Sequence, residues 1–325
     1  MAPPAVIALF GPTGVGKTEV AIALARRLRA LGENPVAVSA DALQVYDGLQ
    51  ILTGVADAAQ QHQLEHRLVS FLPVDASFSA GQYAQLAHAE IDVLLAQGRR
   101  PIIVGGTGLY LRAALTELSL RPPPLDGVRE HWTAELRARG PEALHAVLAQ
   151  RAPGVAPTIA PTDSQRIVRA LELIDSGELD PRDGAPDAAG GSETDAAGDA
   201  APSELWTAET RHPTLLAGLV MERSALYARI DARVEAMVAA GAAEEVRTAA
   251  GRGAGASETA RKALGFRELL DDDVDAMQRH TRNYARRQLT WMRKLAGVTV
   301  LDMTDRSADD VAEEIAARWQ GQDRP

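Results

Sequence analysis

Cysteine is absent from this 325-residue chain. Disulfides and thiolate metal sites are therefore excluded, and a reducing compartment is the natural home. Long apolar runs are missing too, so nothing reads as a bilayer span. The apolar start, Met1 to Phe10, has no basic segment ahead of it and runs into a glycine-rich loop, unlike a secretory signal. The expectation is a cytoplasmic protein with no membrane partner. Basic charge is also in short supply. Lys and Arg number 34 against 44 Asp and Glu, a net charge of −10, which argues against non-specific coating of nucleic acid. What remains is an ordinary globular composition, 46% hydrophobic and 24% charged, long enough for one large or two modest domains.

The charge is unevenly placed. Between Gly177 and Glu204 stand eight acids and one base, in a stretch of Ala, Gly, Asp, Ser and Pro that cannot form a core. Residues 177–202 read as a disordered, solvated acidic insertion. From Ala276 to Leu301 the pattern reverses, with six Arg or Lys and no acid. At about 100° per residue, Arg279, Arg282, Arg286 and Arg293 share an arc of roughly 60°, with Tyr284, Trp291 and Leu295 on the opposite side. Such a ridge suits phosphate-backbone contacts, or simply an ordinary basic face paired with acids.

Strand and helix alternate at the start. Ala5 to Phe10 reads as a buried strand, Glu19 to Leu31 as a helix, and Pro35 to Ala40 as a second strand. Ser79 to Gln97 is helical, and Pro101 to Val104 is a third strand running into Gly105-Gly106-Thr107. This order implies a parallel sheet covered by helices, an α/β fold. Helical patterns dominate after Gly127.

The loop after the first strand, Gly11, Pro12, Thr13, Gly14, Val15, Gly16, Lys17 and Thr18, matches G-x-x-x-x-G-K-[ST] in the strand-to-helix context the motif requires. Small residues let successive amides face phosphate oxygens. The helix start adds its dipole, Lys17 adds a charge, and the Thr18 hydroxyl can ligate Mg2+. The loop reads as binding a phosphate or diphosphate, and a nucleotide such as ATP would fit it. An ATPase usually places an acid at the end of a later strand; Gly105-Gly106-Thr107 stands there instead, which weakens that reading without excluding it. Asp41 ends the second strand, at the edge where open α/β sheets bind ligands. It can act as a general base, bind magnesium indirectly, or merely cap a helix.

Further strings complete an ordered series: Asp41-Ala42-Leu43-Gln44-Val45-Tyr46, Gly105 to Tyr110, Asp163 to Glu172, Glu222 to Ile230, Ala263 to Glu268 and Thr281 to Trp291. This series closely resembles the bacterial tRNA dimethylallyltransferases, also called tRNA isopentenyltransferases, over nearly the whole chain except 177–202. The resemblance implies a P-loop NTPase-like parallel sheet flanked by helices, with a mostly helical insertion domain. The core would comprise 1–120 and 205–325, and residues 121–204 would close over the tRNA.

The resemblance also implies the reaction: transfer of a dimethylallyl group from its diphosphate to N6 of the adenosine 3′ of the anticodon, in tRNAs reading U-initial codons. The partners implied are a tRNA anticodon stem-loop and dimethylallyl diphosphate, with Mg2+ as cofactor and a monomer as the default state. Asp41 would be the base, with Thr107 and Arg223 as the other catalytic residues and the loop holding the diphosphate. Asp41, Ala42, Leu43, Gln44 and Thr107 would line the tRNA side. Gln165, Arg166, Ile167, Val168 and Arg169 would form a further tRNA segment, with Gln165, Arg166 and Arg169 as the polar, cationic front of a helix whose apolar stripe is Ile167, Ala170, Leu171 and Ile174. Arg129, Lys262, Arg267, Arg279, Arg282 and Arg286 complete the implied tRNA contacts. The sequence departs from the family at Ala42, usually Ser, and at Phe266-Arg267, usually Tyr-Lys. Two rivals stay open, a P-loop kinase of small metabolites and a non-catalytic, nucleotide-gated RNA-binding protein.

Overall fold

The computed structural model describes residues 5–118, 125, 127–179, 204–251, 253 and 255–321. Most of the acidic stretch, 180–202, lies outside them. The described residues fall into two compact units, one drawn from Met1–Glu117 with Ala208–Pro325 and the other from Leu118–Thr207.

In the first unit, strands β1 (Val6–Phe10) and β2 (Pro35–Ala40) are buried along their whole length. Continuous apolar runs of this kind mark parallel strands covered on both faces. The short strands β3 (Tyr46–Asp47), β4 (His66–Arg67) and β5 (Leu72–Pro73) follow, then β6 (Arg100–Gly105), β7 (Thr214–Val220) and β8 (Thr299–Asp302). Six of these form one sheet in the order β4-β2-β6-β1-β7-β8, parallel at every pairing; β3 and β5 pair separately. The helical reading after Gly127 holds but leaves out two strands. Helices do predominate there, but β7 and β8 complete the sheet, with β7 directly beside β1. A short apolar run such as Thr-Leu-Leu-Ala-Gly-Leu-Val has no periodicity that separates a buried strand from a buried helix.

Helix α1 (Lys17–Ala30) follows the phosphate loop, and α2 (Gln50–Thr53) and α3 (Ala58–Gln63) follow β3. Helix α4 (Ala80–Ala96) begins at a capping box in which Ser79 and Gln82 bond each other's backbone, and such a box satisfies two otherwise orphaned amides. Helix α5 (Gly108–Leu115) leaves β6. The second unit is built from α6 (Val128–Arg139), α7 (Pro141–Arg151) and α8 (Ser164–Asp175) around a core of its own that includes Trp132, Leu144, Leu148, Ile167 and Leu171. The first unit resumes with α9 (Arg223–Ala239), α10 (Ala242–Gly251), α11 (Phe266–Leu270), α12 (Val274–Lys294) and α13 (Ala308–Trp319). Helix α13 packs on α1, where Val311 and Ile315 join Leu24 and Leu28 in the main core.

One close approach controls what lies at the carboxyl edge of the sheet. Gly105 pairs with Phe10 on one side and Ala40 on the other, and a Cβ at Gly105 would stand 2.2 Å from the Ala40 carbonyl oxygen. Any side chain there must push β2 away from β6. Gly105→Ala should therefore destabilise the protein by about 1–3 kcal/mol, the usual range for overpacking. Urea unfolding would show it as a lower midpoint, and a wild-type midpoint would contradict this packing.

Candidate active site

The phosphate loop takes the shape its glycines permit. Gly14 and Gly16 have φ of 81° and 106°, a left-handed region that other residues enter at a cost. Val15 closes a tight turn onto the Pro12 carbonyl at 3.3 Å. The amides of Gly14, Gly16, Lys17 and Thr18 have no protein acceptor among the described residues, as a loop that receives an anion requires. Lys17 Nζ donates to the carbonyls of Gly11 and Pro12 at 2.9 and 3.0 Å. Burial pushes this ammonium down to about 8, partly offset by Asp41, so it remains mostly protonated at neutral pH.

Asp41 leaves the end of β2. The residues after it form turns rather than a helix, so the helix-capping alternative falls. Its Oδ1 accepts from the Leu43 amide at 2.9 Å. Burial pushes the carboxyl above the usual carboxylate range, opposed by the amides of Leu43 and Gln44 and by Lys17 and Arg233. The side chain keeps some solvent access, being half-buried. Its burial favours the protonated form, and the neighbouring cations favour the charged one.

Behind Asp41 the support is specific. The buried Tyr83 hydroxyl donates to the Ser39 carbonyl at 2.9 Å. Ser39 Oγ donates to Gln44 Oε1 at 2.8 Å, and Gln44 Nε2 donates to the carbonyls of Thr53 and Gly54. The Gln44 amide is thus engaged within the protein, while Ala42 and Leu43 remain half-buried beside it.

Thr107 is the N-cap of α5, and its Oγ1 lies 3.1 Å from the Tyr284 hydroxyl of α12. One turn further along α12, the buried Gln288 accepts from the Thr13 amide and donates to the Gly106 carbonyl, both at 2.8 Å. This one side chain ties the phosphate loop to the loop carrying Thr107. Sequence reasoning gave Gln288 no role, because a polar residue within a basic helix carries no local sign that it is buried. The buried stripe of α12 includes Met277, Thr281, Ala285, Gln288 and Met292, while Tyr284 and Trp291 are half-buried. Trp291 packs on Gly108, where a Cβ would meet its ring at 2.2 Å.

The arginines divide. Arg223 heads α9 and is exposed, its guanidinium 5.2 Å over the Tyr227 ring. Arg233, two residues beyond Asp231 on the same helix, escaped sequence reasoning although it is electrostatically coupled to Asp41. On α12, Arg282 is ion-paired with Asp231, whereas Arg286 is exposed and Arg279 keeps 57% of its side-chain surface. Lys262 and Arg267 are exposed, Arg267 at 3.7 Å from Asp271.

Within the second unit, Arg129 meets Glu172 with two hydrogen bonds of 2.8 and 3.0 Å. Arg169 joins the same buried carboxylate at 3.2 Å, and Arg166 approaches Asp163 at 3.6 Å. Gln165 is exposed, Ile167 is buried and Val168 half-buried. Arg129 therefore holds α6 to α8, while Arg169 reaches the same carboxylate from within α8.

A magnesium ion would suit the first unit only in one way. Among the described residues no group of three or more His, Cys, Asp or Glu could hold a metal, but the Thr18 hydroxyl is without a protein acceptor. One hydroxyl completed by substrate oxygens and water is a common magnesium arrangement.

A parallel six-stranded sheet flanked by helices, with a glycine-rich strand-to-helix loop of open amides and a half-buried aspartate at its carboxyl edge, is the class of α/β fold this site belongs to. The comparisons narrow the class. A sequence model of the IPP transferase family matches residues 44–295. The tRNA dimethylallyltransferase of Kineococcus radiotolerans is 39% identical over 299 residues, covering 89% of this chain and 87% of the relative. That of Symbiobacterium thermophilum is 34% identical, covering 98% and 97%. The crystal structure of the tRNA isopentenylpyrophosphate transferase of Bacillus halodurans superposes with a TM-score of 0.65 at 30% identity, covering 98% of both chains. A eukaryotic dimethylallyltransferase acting on tRNA shares the fold, with a TM-score of 0.72 at 22% identity over 98% of this chain and 80% of that one. The chain belongs to the IPP transferase family.

Gln288→Leu should leave the Thr13 amide and Gly106 carbonyl unpartnered, each at a cost of about 1–3 kcal/mol. A wild-type urea midpoint for this variant would show that the clamp contributes nothing.

Proposed function

We propose that the protein transfers a dimethylallyl group from dimethylallyl diphosphate to N6 of the adenosine 3′ of the anticodon, in tRNAs reading U-initial codons. The products are N6-dimethylallyladenosine and diphosphate. Membership of the IPP transferase family supports the reaction. The single observation that carries the mechanism is the half-buried Asp41 carboxylate set electrostatically against Lys17 beside the phosphate loop.

The adenine amine is a weak nucleophile and must lose a proton as it attacks. Its target base must leave the anticodon-loop stack to reach the sheet edge. As the N6 lone pair forms a bond to the allylic carbon, the C–O bond breaks and its electrons pass to the diphosphate. The N6 proton passes to Asp41. The loop amides and Lys17 stabilise charge gathering on the leaving group, and Arg223, at the head of α9, contributes a further cation. Mg2+ held by Thr18 and the diphosphate would supply electrostatic stabilisation of that group. Thr107, hydrogen-bonded to Tyr284, would hydrogen-bond at the junction of donor and nucleotide. Ala42, Leu43 and Gln44 would line the nucleotide side, and the exposed Arg279 and Arg286, with Lys262 and Arg267, would meet RNA phosphates. In the second unit Gln165, Arg166 and Arg169, with Arg129, would add RNA contacts. We take the protein to work in the cytoplasm as a monomer; among the described residues no helix is long and apolar enough to cross a membrane. The kinase rival would need ATP turnover, and the binding-only rival would leave Asp41 dispensable.

The test combines purified protein, Mg2+, dimethylallyl diphosphate and an unmodified tRNA reading a U-initial codon. Mass spectrometry of the digested nucleosides should find one adenosine, 3′ of the anticodon, carrying a five-carbon prenyl unit. No gain, together with ATP-dependent phosphorylation of a small acceptor, would favour a kinase.

Asp41→Ala should abolish transfer while leaving tRNA affinity largely intact; turnover like wild type would remove the base from the mechanism. The pH dependence has a definite sign. Asp41 must be deprotonated to act, and burial raises its pKa, so the rate should fall as pH drops through a value above that of an ordinary aspartate. An acid limb at or below the ordinary aspartate range would contradict this environment. Lys17→Ala should raise the donor KM, and unchanged kinetics would remove the loop from donor binding.

A further inference from the structure

Helix α9 carries two arginines one turn apart, Arg229 and Arg233, that the reaction as described leaves unused. Residues at i and i+4 share a helix face, and the two guanidinium groups are within electrostatic reach of each other. A Cβ on Gly16 would stand 3.4 Å from Arg229 Nη2, so this guanidinium abuts the phosphate loop where α1 begins. The Arg233 guanidinium seats on Gly54, where a Cβ would lie 1.7 Å from its Nη2. Only glycine leaves room for it. That seat is well anchored. The amides of Ile51 and Leu52 at the start of α2 donate to the Glu245 carboxylate at 3.0 and 2.8 Å, and the Gly54 carbonyl accepts from Gln44 at 3.2 Å.

Neither guanidinium has a hydrogen bond or ion pair among the described residues. Arg229 is exposed, but Arg233 is half-buried, and protein around it holds its pKa below the ordinary arginine range despite Glu19 and Asp41 acting through space. Lys17 feels the same arginine. Three cations, Lys17, Arg229 and Arg233, thus gather around the head of the loop against two carboxylates, Asp41 and Glu19. A guanidinium offers five N–H donors in a fixed fork, and enclosing it without a partner is unfavourable. A diphosphate supplies the missing charge and the matching acceptor geometry.

We propose that Arg233, supported by Arg229, forms a second cationic wall of the donor site and binds the diphosphate group. The inference rests on the prenyl-transfer reading. As the allylic C–O bond breaks, its electron pair moves onto the diphosphate oxygen and Arg233 meets the charge arriving there. The adenosine nitrogen supplies the new C–N bond and its proton goes to Asp41. Arg233 thereby serves the leaving group and the base from one position.

The experiment is calorimetric titration of inorganic diphosphate with Mg2+ into the full-length protein, with tRNA affinity measured in parallel. Arg233→Gln should weaken diphosphate binding about 10- to 100-fold, the range for losing a charged hydrogen-bonding group, with tRNA affinity unchanged. Arg233→Met, which keeps the apolar stem on Gly54, should show the same loss and decides the matter if the Gln variant fails to fold. Arg26→Gln, a surface change on α1 beside Asp309, should leave binding as in wild type. Unchanged diphosphate affinity in both Arg233 variants would overturn the inference and leave the prenyl-transfer reading standing. A loss confined to tRNA would also overturn it, making Arg233 an RNA phosphate contact. Wild-type protein that binds no diphosphate would overturn the prenyl-transfer reading itself, and this inference with it.

Discussion

Everything at the active edge depends on the packing of β6 between β1 and β2. Gly105 pairs with Phe10 on one side and with Ala40 on the other. Because the strands are parallel and end level with one another, the three segments that leave them emerge side by side. These are the phosphate loop, Asp41 and the Gly106-Thr107 turn. A side chain at Gly105 would collide with the Ala40 backbone, so the close approach of carboxylate and phosphate loop requires a residue without one. This is the general rule for ligand sites in open α/β sheets, enforced here by a single missing Cβ.

The same crowding creates the electrostatic problem that the site exploits. Burial disfavours the charged forms of both Lys17 and Asp41, pushing one pKa down and the other up. Their mutual attraction offsets part of that cost. An isolated pair would settle into a structural ion pair, but Lys17 is tethered to two loop carbonyls and Asp41 to the Leu43 amide. Each is thus tied to its own loop by a backbone contact as well as drawn to the other by charge.

Helix α12 gives this arrangement its rigidity. Its inner face delivers Gln288 to the phosphate loop and Tyr284 to Thr107, while Arg286 and Arg293 on the same helix are exposed. One element therefore braces the donor side and carries exposed positive charge. Arg282 is the exception within the ridge, since its pairing with Asp231 joins α12 to α9. A cation identified by helical angle alone can serve packing as readily as RNA.

The local signals in the chain were enough for the phosphate loop, α1, α4, the first strands and Asp41. Each depends on neighbours in sequence: glycine spacing, apolar period and a capping serine act over a few residues. Residue strings also sufficed for the family. Strands β7 and β8 were not legible, because a short apolar run does not reveal whether it will pair or coil. The partners of Gln288 and Arg129 and the seat of Arg233 on Gly54 were equally hidden. Gln288 lies 275 positions from Thr13, and Arg129 lies 43 from Glu172. The sequence by itself determined the groups available to the protein, a glycine-rich loop with its lysine, a carboxylate at a strand end and a basic helix. Only the tertiary structure decided which polar groups lose their water and whom they meet, because desolvation and pairing arise from contacts between segments distant along the chain.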